Sequence, residues 1–576
     1  MPNLLIVLVA VVIFFLVNYF LTRDKKKLKR FREEWETGKF IRQNEATESI
    51  SSYWLNKKNS KESYDGVDQL TWNDLSMDKV FQKLNYTQTT VGSEYLFNQL
   101  REIEPTLEQK EEDEHLYTLV ASNQGLREKI LLLLTGLGKR DYTNSTSFFY
   151  DTNSKKVGNG SVYYLLAFLP IASIALLFFN LKWGLFCLLA SFLINTIIYY
   201  RNKSMLEYDL VSVTYIASII HTGKRFSSVN QSEFNSYVNR FKDNMKPLKK
   251  VLFLSNISSL GNKGGGEFDV IFEYIRILFL LDFISYNKIV KTISDHQEEY
   301  HEVWQLIGKL DAAIAVAFYR KSLGTYCTPK FVDKEELLFE NMAHPLINNP
   351  VTNTSALGKS TLVTGSNASG KSTYIKAIAI NAILAQTINT VLAEKWVMKP
   401  SYIATSMAIQ DNVLDGDSYF IAEVKSLKRI VRLIEEGKPC ISFVDEILKG
   451  TNTVERIAAS AAMMEWLSSN KGINIIASHD IELTEIASHV YANYHFRESI
   501  ENGEVRFDYT IHPGPSNTRN AIKLLEVLSY PQTITEKANG LAESFVEKRE
   551  WDVISEQIAN SGKLRLIEKN FIHTKN

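Results

Sequence analysis

Gly365-Ser-Asn-Ala-Ser-Gly-Lys-Ser372 decides the fold of this chain. It is a complete G-x-x-x-x-G-K-[ST] phosphate-binding loop, with an apolar stretch at residues 360–364 before it and a helical pattern after it. Chemistry explains the spacing: glycines let successive backbone N–H groups curl around phosphates, Lys371 reaches the β and γ oxygens, and the Ser372 hydroxyl ligates Mg²⁺. Gly365, Ser366, Asn367, Ala368, Ser369, Gly370, Lys371, Ser372 and Thr373 are therefore the expected nucleotide contacts, in an α/β P-loop domain.

A second element follows at Cys440-Ile-Ser-Phe-Val-Asp-Glu446, an apolar strand that ends in two adjacent carboxylates. Neighbouring side chains on a strand point to opposite sides. Asp445 is thus placed to hold the magnesium shell, while Glu446, just past the strand end, polarises the attacking water. Such a pair can also cap any buried strand; the loop upstream decides for the catalytic reading. Residues 473–478 form another apolar strand, and His479 stands at its carboxyl end, where parallel sheets place ligand groups. A lone histidine is more often structural, but this position makes it the expected γ-phosphate sensor.

With Asp411-Asn-Val-Leu-Asp-Gly-Asp-Ser-Tyr-Phe420 lying between loop and carboxylates, the order of parts resembles the ATPase domain of the MutS family. Leu384-Ala-Gln386, Asp445-Glu-Ile-Leu-Lys-Gly-Thr-Asn-Thr453, Ala477-Ser-His-Asp480 and Gly514-Pro515 leading into Ala521-Ile522 extend the likeness. The resemblance implies an ABC-type ATPase that uses ATP and Mg²⁺ and works as a homodimer, with Ser418 touching the γ-phosphate of the partner's nucleotide in trans. Thr87-Gln-Thr-Thr-Val-Gly-Ser93, followed by Leu96, Leu100, Arg101 and Pro105, resembles the start of the family's helical core. Leu310-Asp-Ala-Ala-Ile-Ala-Val-Ala317, through Pro329, Phe331, His344 and Pro345, resembles its return into the ATPase. These core segments are amphipathic helices, and helical packing alone would account for their spacing.

The departures from the family are as informative. Its mismatch-repair members begin with a domain carrying a Phe-x-Glu wedge, for which the N-terminus offers no room; Phe31-Arg-Glu33, Phe496-Arg-Glu498 and Phe545-Val-Glu547 fit only the three-letter pattern. Where the family's DNA clamp would lie between the core halves, this chain has an apolar hairpin. Val351 stands near the position where the family has an aromatic that stacks on adenine, which leaves the choice between adenine and guanine open.

Residues 3–21 carry no charge, and about 19 helical residues at 1.5 Å each nearly cross a hydrocarbon layer of about 30 Å. Residues 162–179 and 184–200 are two further apolar runs, joined by Asn180-Leu-Lys-Trp-Gly184, so three spans are expected. The basic cluster Arg23-Asp-Lys-Lys-Lys-Leu-Lys-Arg-Phe-Arg32 and the pair Arg201 and Lys203 follow the first and third spans. By the positive-inside rule they set the body, with its ATPase domain, in the cytoplasm of a multi-pass plasma-membrane protein. The cluster is expected against anionic headgroups rather than nucleic acid.

Charge balances at 65 basic against 65 acidic residues, which counts against tight autonomous DNA wrapping. Cys187, Cys327 and Cys440 show neither disulfide nor metal spacing. The expected organisation is an anchor at residues 1–22 and a basic arm and linker at 23–72, helical over 25–39 and flexible over 47–66. A helical first core half follows at 73–160, a membrane hairpin at 161–201 and a second all-α core half at 202–340. The ATPase occupies 341–545, and a helical tail runs over 546–576. Within the second core half, residues 270–284 are expected as a buried lever helix and residues 262–266 as a loop. Two function classes compete: a membrane-anchored MutS-like ATPase acting on DNA, and an ATP-driven membrane switch or transport-like assembly that never touches nucleic acid.

Overall fold

The computed structural model describes residues 22–41, 45–60, 66–103, 107–150, 160–258, 267–358, 360–366, 369–407, 419–501, 504–516 and 521–553. The expected first span, the loop at 262–266, Asn367, Ala368, Ser418 and the end of the tail lie outside these residues.

The strands among them are β1 (Lys330–Phe331), β2 (Leu337–Met342), β3 (Asn353–Leu357), β4 (Thr361–Thr364), β5 (Lys395–Met398), β6 (Tyr402–Ser406), β7 (Cys440–Asp445), β8 (Ile473–Ser478), β9 (Ala492–Glu501) and β10 (Glu504–Pro513). One sheet runs β1-β5-β2-β3, the other β10-β9-β4-β8-β7-β6. In the larger sheet β9, β4, β8, β7 and β6 are parallel, and every residue of the central strands β4 and β8 is buried. Register brings the functional ends together: Thr364 lies opposite Ser478, and Asp445 opposite Ala477. The phosphate loop, the carboxylate pair and His479 thus leave the sheet side by side.

The helix Lys371–Ile388 follows the phosphate loop and is buried along most of its length. Its Asn381 side chain donates to the Ala343 carbonyl (3.0 Å) and accepts from the Leu392 amide (2.9 Å), while Gln386 accepts from the Ser401 amide (2.8 Å). These amides tie the helix to both sheets. Its C-terminal end meets the all-α core through Arg320, whose guanidinium pairs with Glu114 (2.7 Å to each oxygen) and donates to Thr390 and the Asn389 carbonyl.

The core is organised around the helix Gln297–Ser322, which is buried at every position from Leu310 to Arg320. Here the two core segments quoted above meet: Asp311 accepts hydrogen bonds from the Gln88 and Thr89 amides (2.9 Å each) and from the Thr89 hydroxyl (2.7 Å). Gly92 lies so close that a Cβ there would come within 2.2 Å of the Asp311 carboxylate, so only glycine fits.

Helices Gly160–Leu177 and Leu181–Phe226 form the apolar hairpin, and Asn180 caps the second by accepting from the Trp183 amide (3.3 Å). They are the two helices among the described residues long and apolar enough to cross a membrane, with mean hydropathy 1.9 and 1.8. Only 22% and 17% of those windows are buried, and Phe168, Phe186 and Leu193 stand exposed. The second helix does not stop near Tyr200. It runs unbroken for 46 residues into the core, where Tyr215, Ile216, Ile219 and Ile220 are buried.

Two further expectations are corrected. Residues 47–60, read as flexible, form helices Thr47–Ile50 and Ser52–Ser60, because Tyr53 and Trp54 bury; Arg101 is sandwiched 3.8 Å from Trp54 and 4.0 Å from Trp72. The lever helix expected over 270–284 breaks at Leu280 (φ 51°) into Glu267–Leu278 and Leu281–Asp295, and Tyr274 is 56% exposed rather than buried. The basic arm is helical over 22–37 and packs on the core through Phe31, an Arg32–Glu128 pair and Arg127 stacked on Trp35. Lys27 feels the charge of Arg225, which lies about 33 Å further along the long helix than Lys203.

Candidate active site

The phosphate loop closes on itself by hydrogen bonds that a bound phosphate would replace. Lys371 is 3% exposed and donates to the carbonyls of Gly365 (2.6 Å) and Ser366 (2.9 Å). Burial lowers its pKa, opposed by the carboxylates of Glu446 and Asp445. Ser369 donates to the Ser366 carbonyl (2.7 Å), and Ser366 donates to Glu498 of β9 (2.5 Å). Gly365 (φ 140°) and Gly370 (φ 105°) hold backbone conformations that L side chains rarely adopt, and a Cβ on Gly365 would come 2.9 Å from Ser369 Oγ. Ser372 and Thr373 follow in the first turn, Thr373 exposed.

Glu446 sits at φ 65°, its amide bonded to the Ala477 carbonyl (2.9 Å), a turn that lifts its side chain off the end of β7 toward His479. One carboxylate oxygen meets His479 Nδ1 and the other Lys449 Nζ, each at 3.0 Å. Desolvation pushes its pKa up, but the hydrogen bonds from His479 and Lys449 outweigh it and leave the group at about 2. The same bond raises the pKa of His479. Behind the histidine, Asp480 is gripped by both arms of Arg456 (2.9 and 2.7 Å). Ser372 and Asp445 offer two hard oxygen donors, and no cluster of three or more His, Cys, Asp or Glu that could hold a metal is found among the described residues. This donor set fits Mg²⁺ shared with nucleotide phosphates rather than caged by protein alone.

Beyond Gly370 and Thr373 opens a cleft of about 420 Å³ walled by His344, Pro350, Val351, Phe496 and Tyr509. Tyr509 occupies a bulge between Phe507 and Ile511 with φ 53°, pinned by Asn353, which donates to the Tyr509 carbonyl (3.1 Å) and accepts from the Ile511 amide (2.8 Å). The cleft has the place and size for a nucleobase. Val351, 47% exposed at its mouth, offers no ring to stack on. Val351→Phe should tighten ATP binding about fivefold, from the roughly 1 kcal/mol of an added aromatic contact; titration with a fluorescent ATP analogue checks it, and unchanged affinity would place the base elsewhere.

Sequence reasoning missed Lys449, Glu423, Glu498 and Tyr509. Glu423, 2% exposed on the helix Tyr419–Glu435, accepts from the Lys449 amide (3.0 Å) and so ties the turn after Glu446 to the helix that follows the expected trans segment. Lys449 stands three residues after Glu446 and was the more accessible signal.

Residues 361–546 match the sequence model of MutS domain V. The chain is 27% identical over 274 residues to the DNA mismatch repair protein MutS of Natronomonas pharaonis, covering 45% of this chain and 31% of that protein. It is 27% identical over 259 residues to MutS of Thermus thermophilus (44% and 31%), and 31% identical over 206 residues to DNA mismatch repair protein MutS 2 of Haloarcula marismortui (34% and 22%). The chain thus spans about a third or less of the length of these curated relatives. With the loop, the carboxylate pair and the histidine assembled on the carboxyl edge of one parallel sheet, residues 361–546 are similar to MutS domain V and carry the parts of an ATP hydrolase.

Proposed function

We propose that this protein is a membrane-held, MutS-like ATP hydrolase that closes as a homodimer on two nucleotides and acts on DNA near the membrane. The observation that carries the hydrolytic part is Glu446, an ionised carboxylate at the end of β7 in direct contact with His479. In the reaction Lys371 leaves the loop carbonyls for the β and γ oxygens. Glu446 orients water for in-line attack and takes its proton, and His479 donates to the γ-phosphate. Ser372 and Asp445 would hold Mg²⁺ beside the nucleotide, where it would neutralise charge on the transferred group and on the ADP that leaves. Ser418 of each protomer completes the partner's site, and the Glu423 contact passes that closure to the turn carrying Lys449.

The hairpin is proposed to cross the plasma membrane with the ATPase in the cytoplasm, and residues 3–21 to add a third span. The packing of the basic arm far along the long helix means that this span and the hairpin share one bilayer only if the arm or the helix reorients. A second reading, the membrane switch without nucleic acid, is favoured by the continuous helix Leu181–Phe226, which joins the apolar hairpin to the ATP-linked core with no flexible joint.

ATP turnover by the full chain in lipid nanodiscs, at fixed salt, with and without homoduplex, mismatched and branched DNA, separates the two readings. We expect stimulation by DNA of severalfold. Turnover indifferent to every DNA but altered by lipid composition would sink the DNA reading and leave the switch.

A further inference from the structure

The break at Leu280 leaves the helix Glu267–Leu278 leaning on the apolar hairpin, and one buried amide explains why. Pro170, inside the first hairpin helix, has no N–H to give the carbonyl of Leu166 four residues before it. The carbonyl of Leu278, at the last residue of its own helix, is likewise without an intrahelical partner. Asn195, fully buried on the second hairpin helix, donates to both, at 3.1 Å to Leu166 and 2.7 Å to Leu278. Three helices are thus stapled at a point inside the apolar stretch. Around it Tyr163, Leu166, Tyr199, Ile277, Leu280 and Phe283 form a separate apolar cluster.

The depth of the staple follows from helix rise. Tyr163 and Tyr164 on one helix and Tyr199 and Tyr200 on the other make an aromatic belt at the core-side end of the hairpin. Asn195 lies about 6 Å past that belt and Phe192 about 10 Å past it. The Tyr274 ring packs beside Phe192 at 6.4 Å, so the helix enters the layer rather than lying under it. Of its charged residues, Arg276 turns back to pair with Asp282 (3.9 Å), and Asp282 accepts from the Tyr199 hydroxyl (2.9 Å) at belt level, while Glu273 is exposed and its charge acts on the same Tyr199. Meanwhile Tyr274 and Ile275 face outward, 56% and 37% exposed, continuous with the exposed apolar wall of the hairpin.

Resting on the reading that the hairpin spans the membrane, we propose that Glu267–Leu278 is an interfacial helix embedded in the cytoplasmic leaflet, its outer face covered by acyl chains, with Asn195 as its anchor. An amphipathic helix sunk about 5–10 Å is the usual geometry of such elements. The helix then couples lipid to the core, because Leu281–Asp295 continues directly from it and packs against the core helix Asn235–Ser258.

The test uses the full chain with Cys187, Cys327 and Cys440 replaced by alanine, reconstituted in vesicles, with an environment-sensitive dye on a single cysteine. Leu193→Cys reports the hairpin, Ile275→Cys the proposed helix and Lys242→Cys, exposed on the core helix beside Phe241, the aqueous side. We expect spin-labelled lipid to quench the dye at 193 and 275 at least threefold more than at 242. Quenching at 193 with aqueous behaviour at 275 overturns this inference alone; aqueous behaviour at 193 overturns the membrane reading on which it rests. In a variant that also carries Asn195→Leu, the dye at 275 should lose its lipid quenching while 193 keeps it, and quenching retained at 275 would remove Asn195 as the anchor.

Discussion

Glu446→Gln should slow single-turnover ATP hydrolysis by at least about 100-fold, the usual scale for loss of a positioned general base, while ATP still binds. The amide keeps the size and shape of the carboxylate, and the φ of 65° is no harder for Gln than for Glu. What disappears is the negative charge that His479 and Lys449 hold ionised down to a pKa of about 2. Since the group is charged throughout any working pH, an acid-side loss of activity near neutrality cannot be its titration. His479 provides the second readout. Its pKa stands above the ordinary value because Glu446 bonds it, so the pair contributes stability that is fully present below about pH 6.5 and is lost as pH rises through the raised value. In the Gln variant that pH dependence should shrink, and NMR titration of the imidazole should return toward the ordinary histidine range. A variant that hydrolyses at the wild-type rate would remove Glu446 from the chemistry.

Much of this site is legible in the sequence because each part is local. A glycine loop, two carboxylates after an apolar run and a histidine after another need only the parallel register of β4, β8 and β7 to meet. Contacts between distant segments were illegible: Ser366 with Glu498, Gly370 with Tyr509, and Lys449 with Glu423 join strands and helices that no spacing rule relates. The hairpin was legible as apolar runs, but its far end was not. Arg201-Asn-Lys203 reads as a terminus, yet no glycine or proline stands between Gly184 and Gly223, and the helix propagates through the charges. At Leu280 the reverse holds. The segment has no breaker, and the bend is imposed by packing, with Leu280 buried in the hairpin cluster. Residues 47–60 misled by composition, since serine, asparagine and lysine outnumber the two aromatics whose burial decides the structure.

Asp311→Ala should destabilise the helical core by about 3–5 kcal/mol, enough to lower its thermal midpoint by on the order of 10 °C. The carboxylate is fully buried and receives three donors from residues 88 and 89, far away in sequence. Alanine leaves two amides and a hydroxyl in the core without acceptors, and the gap beside Gly92 cannot be filled by a residue that has lost its side chain. Asp311→Asn, nearly the same size, separates charge from shape. Burial raises the Asp311 pKa to about 6, against the hydrogen bonds from Thr89 and Gln88 that favour the charged form. The folded protein therefore holds this proton more tightly than the unfolded chain, whose aspartates titrate near 3.9. Its contribution is greatest below about pH 4, falls as pH rises to about 6 by roughly 3 kcal/mol, and is flat above. Asparagine has no such proton, so the thermal midpoint of wild type minus that of Asp311→Asn, followed in detergent from pH 4 to 7, should decline with pH. A difference that instead grows with pH would mean that the three donors win over burial and that the two halves of the core are joined by an ionised carboxylate.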